Sequence, residues 1–215
     1  MRALPLAASA AGLALLLAGC ANPGQDQEAA RRAAPARVPL AEALARLPET
    51  VEGFERGATT SFEERQPGYG SAVEYTTPPR NGLPARAAVA SVLLYDLGQP
   101  PLSNSAPATL VTPRLDEAVR EATVLPPGRT LAETGRRSLA LADGGSMTCA
   151  DLSGSFGRTA VEQQVCAGTA AGRFLRVHVT MSRRNNEVAD ADAFTRAVAE
   201  ALRGAARPAV AAVAR

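Results

Sequence analysis

The segment "ARAAVASVLLYD", residues 85–96, restricts the possible folds more than any other part of the chain. Read as a strand, it sets Ala88, Ala90, Val92 and Leu94 on one side and Val89, Leu93 and Tyr95 on the other, because successive side chains of a strand point to opposite faces. A strand that is apolar on both sides belongs in the middle of a sheet with a layer packed over each face.

The surrounding pattern supplies those layers. Leu40, Ala43, Leu44 and Leu47 recur at helical spacing within 38–47, and Pro48 ends the run. Residues 51–77 read as two strands about a turn at Pro67-Gly68-Tyr69-Gly70. A phosphate cradle is excluded at that turn because no helix follows it. Thr112-Pro113 predicts a helix start with Thr as N-cap, Leu115, Ala118, Val119 and Ala122 form its stripe, and Pro126-Pro127-Gly128 stop it. Four strands are predicted at 130–141, 146–152, 159–166 and 174–181, with turns at 143–145, 154–157 and 168–172. Connections this short imply antiparallel pairing. A last helix over 190–202 buries Phe194, Ala197, Val198, Ala201 and Leu202, with Asp190 or Asp192 as its cap. The predicted class is α+β: an antiparallel sheet of about six to seven strands with helices packed on its faces. This element order is similar to that of Mog1/PsbP-like proteins, and the resemblance implies their α/β sandwich without carrying over any residue.

The chain begins with Arg2, an uncharged apolar run from Leu6 to Leu17, and the small residues Ala18 and Gly19 before Cys20. This is the layout of a secretory signal, and the run is shorter than the roughly 20 residues that a membrane span needs. Leu17-Ala18-Gly19-Cys20 resembles the lipobox of bacterial lipoproteins. The resemblance implies a signal peptide at 1–19, a diacylglyceryl group on the Cys20 sulfur, cleavage before Cys20 and acylation of the new amine. Two or three acyl chains hold a protein on a membrane far better than one. Ala21 and Asn22 stand where an Asp would signal inner-membrane retention, so the expected location is the outer membrane, with the domain in the periplasm or at the cell surface. Residues 20–37 read as a lipidated flexible tether, 38–204 as a single α+β domain and 205–215 as a frayed tail.

In such an oxidising compartment Cys149 and Cys166 form an even pair, and a bridge between them is predicted over a metal pair or two free thiols. The register sets a condition. A tight turn at Gly154-Ser155-Phe156-Gly157 would place Cys149 opposite Glu162, so the bridge requires a longer loop or a bulge.

Composition removes several kinds of chemistry. The chain has no Lys, which excludes Schiff-base and pyridoxal phosphate catalysis, Ser-Lys hydrolysis and a phosphate loop ending in Gly-Lys. The 23 basic and 21 acidic residues nearly balance, and Trp is absent, which argues against a nucleic-acid partner and a stacking groove. His178 is the sole histidine, and "SGSFG" around Ser155 does not match a nucleophile elbow. The carboxylate pairs Glu63-Glu64, Asp116-Glu117 and Asp190/Asp192 occupy positions that serve surface or capping roles. No catalytic residue, metal ligand or cofactor is predicted. The expected function is that of a non-enzymatic cell-envelope lipoprotein that binds a protein partner or helps maintain the envelope. The alternatives are a carrier of a small apolar ligand or lipid, and a hydrolase built on His178.

Overall fold

The computed structural model describes residues 37–79, 87–124, 126–183 and 189–204. The expectations for the signal, Cys20, the tether up to residue 36 and the tail 205–215 lie outside the described residues. Within them the chain runs α1 (Leu40–Ala45), β1 (Thr50–Val51), β2 (Phe54–Ser61), β3 (Ser71–Thr76), β4 (Ala88–Tyr95), α2 (Ala108–Thr123), β5 (Arg129–Ala140), β6 (Ser146–Phe156), β7 (Thr159–Ala170), β8 (Arg173–Ser182) and α3 (Ala191–Arg203).

The strands form one eight-stranded sheet in the order β1-β2-β3-β4-β8-β7-β6-β5, antiparallel at every pairing. The count exceeds the expected six to seven because the two-residue β1 adds a short edge rung against β2. From β4 the chain crosses through α2 to β5 at the far edge. It then returns strand by strand until β8 closes on β4.

The two-faced strand β4 sits at the centre, as its composition requires. On one face Ala88, Ala90, Val92 and Leu94 pack beneath α1 and α3, around a cluster in which Phe194 lies 4.5 Å from Phe54 and 5.3 Å from Tyr75. Burial pushes the Tyr75 hydroxyl up to about 12, and it donates to Pro48 O at 2.7 Å. On the other face α2 buries Val111, Leu115, Ala118, Val119 and Ala122 against Ala150, Leu152, Val165 and Ala167. That cover extends over β5–β7 and stops short of β4, where Val89 stays 45% exposed.

Several predicted boundaries move, β7 among them, which runs to Ala170 and not to residue 166, and two of the shifts matter for packing. Helix α2 starts at Ala108, a turn before Thr112, with Pro107 at the N-cap and Pro113 inside. The extra turn buries Val111 in line with Leu115, Ala118 and Ala122, and Pro113 removes one rung of the helix ladder. The β6–β7 turn lies at Gly157-Arg158, with Phe156 opposite Thr159, and not at 154–157. Gly154 belongs to the strand. A Cβ there would stand 1.9 Å from Thr130 O, so the missing side chain lets β5 approach closely and has no role in turning the chain.

The bridge needs neither the longer loop nor the bulge expected for it: a turn just as tight, two residues further along, brings the cysteines into register. Cys149 and Cys166 face each other directly, with Cα atoms 4.0 Å apart and the sulfurs bonded, both fully buried. The bridge ties β6 to β7 under the α1/α3 layer. Replacing both cysteines with Ala should lower the unfolding free energy by about 3 kcal/mol, the chain-entropy value for a loop of this length. Denaturant titration of the variant and of the wild type with and without reductant measures the loss.

Candidate functional site

The strand ends define two rims. One carries Arg37, the β2–β3 turn, the end of β4 and the turns β5–β6 and β7–β8; the other carries the β6–β7 turn and the end of β8. Helix α3 runs from the second rim to the first, where Arg203 donates to Thr169 O at 2.9 Å and pairs with Asp143 at 3.1 Å. At its N-terminus, on the second rim, an open cleft of about 850 Å³ lies between the helix start and the polar continuation of the sheet face.

Alternation builds this cleft. In β6, Asp151 and Ser153 follow Cys149 on the same face, and in β7, Gln164 and Glu162 precede Cys166 on it. The face is therefore apolar beneath α3 and turns charged just beyond the disulfide. Asp151 and Gln164 are direct cross-strand partners. Asp190 caps α3, its carboxylate accepting from the N–H groups of Asp192 and Ala193 at 2.9 and 3.0 Å, where the helix dipole favours negative charge.

Arg137 on β5 holds the centre. Its guanidinium donates to Asp151 at 3.0 and 3.3 Å and to Asp192 at 2.6 and 3.1 Å, two bidentate pairs on one group. Gln164 donates to Asp192 Oδ1 at 2.7 Å and accepts from the Thr195 hydroxyl at 3.0 Å. Its Oε1 also lies 3.3 Å from Cys166 Sγ, which as a half-cystine has no proton to donate. A continuous set of contacts thus joins the disulfide to the helix start. Burial raises the Asp192 carboxyl. The hydrogen bonds from Arg137 and Gln164 and the charges of Arg137 and Arg196 outweigh this and hold it below the usual carboxylate range. For Arg137, burial works against the charged form, and the two carboxylates more than offset it.

The residues singled out from sequence are dispersed. Glu63 accepts from the Gly68 and Gly70 amides at 3.0 and 2.7 Å and closes the β2–β3 turn. Asp116 pairs with Arg136 and Glu117 with Arg114. Asp190 caps and Asp192 binds Arg137, so none of the three carboxylate pairs converges as an acid/base pair would have to. Ser155 shares its hydroxyl with Thr130 at 3.2 Å. His178 lies in a separate hollow of about 350 Å³ on the face that α2 leaves bare, near Ser91, Thr180, Val89 and Glu74. Its buried Nε2 has no hydrogen-bond partner, and burial followed by the charge of Arg176 pushes its pKa down to about 4. Sequence reasoning did not single out Arg137, Asp151 and Gln164. The available signal was a polar residue two positions from each cysteine.

No family model and no curated protein matches the chain. Among solved structures, it is similar to the solution structure of cyanobacterial PsbP (CyanoP) from Synechocystis sp. PCC 6803, with a TM-score of 0.41 and 13% identity over 70% of this chain and 92% of that one.

Asp192 has its lowered value only when folded, so its contribution to stability is complete above about pH 4, the ordinary carboxylate value, and is lost as the pH falls through the lowered one. Asp192→Asn should therefore show a smaller drop in denaturation midpoint than wild type between about pH 6 and about pH 3. His178 should stay neutral, with an imidazole Cε1–H resonance that does not move between about pH 5.5 and pH 8.

Proposed function

We propose that the chain is a non-enzymatic lipoprotein of the cell envelope, anchored through Cys20, whose domain binds a protein partner at the cleft beside the start of α3. The observation that carries the reading is the opposition of the two rims: Arg37, where the domain begins, pairs with Asp96 at one rim, and the cleft opens at the other. An anchor upstream of Arg37 would present the cleft away from the membrane. The lipobox-like Leu17-Ala18-Gly19-Cys20 supports the anchor, and Ala21-Asn22 supports the outer membrane with the domain in the periplasm.

Other observations favour binding over catalysis or carriage. A hydrolase would require a base in contact with a nucleophile and an orienting acid, and the hydrogen bonds described for Ser155, Asp192 and Glu63 go elsewhere. A carrier of an apolar ligand needs an apolar enclosure. The space beneath β4 is filled by Phe54, Tyr75 and Phe194, and the cleft is rimmed by Asp151, Asp190, Asp192 and Arg183. An open cleft lined by charges of both signs suits recognition of a protein surface of complementary charge.

Two experiments bear on the reading. Cys20→Ala should release the protein from membranes after a salt and carbonate wash, and continued pelleting would mean that no thioether anchor holds it. A photo-cross-linking residue at Ser153, in the cleft, should yield a discrete protein adduct in intact cells, and the same residue at Gly144, on the opposite rim, should not. Equal labelling from both positions would reject the cleft as the binding surface.

A further inference from the structure

We infer that the β2–β3 tip is a membrane contact: Phe62 and Tyr69 insert at the headgroup boundary of the bilayer that holds the anchor and fix the domain upright on it. This rests on the lipid anchor proposed above. Phe62 and Tyr69 are exposed by 37% and 47% and flank one turn. Tyr favours the water–lipid boundary, with its ring in the apolar side and its hydroxyl in water, and Phe supplies the apolar face of interfacial segments.

The tip adjoins the point where the tether joins the domain. Arg37 pairs with the Asp96 carboxylate at 2.9 Å and donates to Gln99 O. The N–H groups of Asp96 and Leu97 in turn donate to Gly68 O, next to Tyr69, at 3.0 and 2.8 Å. Sixteen residues separate Cys20 from Arg37, so the two can stand no more than about 60 Å apart even if the segment is fully extended. An anchor at Cys20 would attach to the domain at this rim, through Arg37. At the effective concentration that such a tether imposes, a contact too weak to bind a free protein is populated.

The tip is also built in advance. Phe62 N–H donates to Gly70 O, and Phe62 O accepts from the N–H groups of Arg65 and Gln66. The Glu63 carboxylate spans the Gly68 and Gly70 amides. Gly70 takes φ +69°, and a Cβ there would stand 1.7 Å from Leu94 O, so the turn lies flush on the end of β4. The backbone that carries the two aromatic residues is thus fixed before any lipid is met, and docking orders little of it further. Glu63, Glu64 and Arg65 leave the tip with one net negative charge. The contact is consequently apolar in origin and indifferent to salt.

The chain contains no Trp, so Tyr69→Trp, Phe62→Trp and, on the cleft rim, Arg158→Trp each introduce a single reporter. The acylated full chain is purified from membranes and reconstituted into vesicles of phosphatidylethanolamine and phosphatidylcholine, part of the latter brominated on its acyl chains. Emission from Tyr69→Trp and Phe62→Trp should shift to the blue and be quenched by bromine, equally at low and high salt, whereas Arg158→Trp should stay red-shifted and unquenched. If intact mass shows the acyl chains and both tip reporters are unquenched, or if Arg158→Trp is quenched as strongly, the tip contact is wrong and the anchor stands. A mass without acyl chains overturns the anchor, and the tip contact with it.

Discussion

Eight strands side by side present two faces to be covered, and α1, α2 and α3, of six, sixteen and thirteen residues, have to cover them. The cover is offset. Helices α1 and α3 close one face around the aromatic cluster of Phe54, Tyr75 and Phe194, and α2 closes the other over β5–β7. What remains bare follows from this arrangement. One gap lies beyond the N-terminus of α3, where the sheet face turns charged; the other lies over β3, β4 and β8, where His178 sits. Both features that invite a functional reading are places where the three described helices fall short of the eight described strands.

The charged gap is organised rather than merely uncovered. Arg137 on the edge strand reaches across to Asp192 on the helix and Asp151 on the neighbouring strand. Leaving either carboxylate unpaired at a partly buried helix start would be costly. The guanidinium therefore both fixes the start of α3 and shapes the cleft floor. Gln164 continues the chain of contacts to the disulfide, so the covalent tie between β6 and β7 and the ion pairs at the helix start support the same wall.

Much of the fold was legible because it follows from local pattern. The double-sided run Ala88–Tyr95, the stripe Leu115–Ala122 and the Asp190 cap each correspond to a described element. The candidate cleft was hidden by a two-residue displacement of a single turn, which moves the pairing register by four. Glycines at 154 and 157 both carry turn chemistry in sequence, but only Gly157 takes positive φ, at +62°, and Gly154 serves a close approach between strands. With the turn at 154–157, Asp151 would face Ala160 and the polar wall would not form. With the turn at Gly157-Arg158, Asp151 meets Gln164 and Cys149 meets Cys166. Arg137 was unreadable for another reason: its partner Asp192 is 55 residues away, and that closeness depends on how α3 is laid over the sheet. Strand periodicity alone also overstated the cover on β4, since alternation shows which side chains prefer burial and not how far a helix extends.

Helix α3 delivers Gly204, the last described residue of its segment, to the rim that holds Arg37. Val38, Arg46, Gly172 and Arg203 gather there around a shallow depression. Arg37 and Gly204 therefore stand at one side of the sheet. A load applied between these two residues is borne by that side, across the strand ends gathered there.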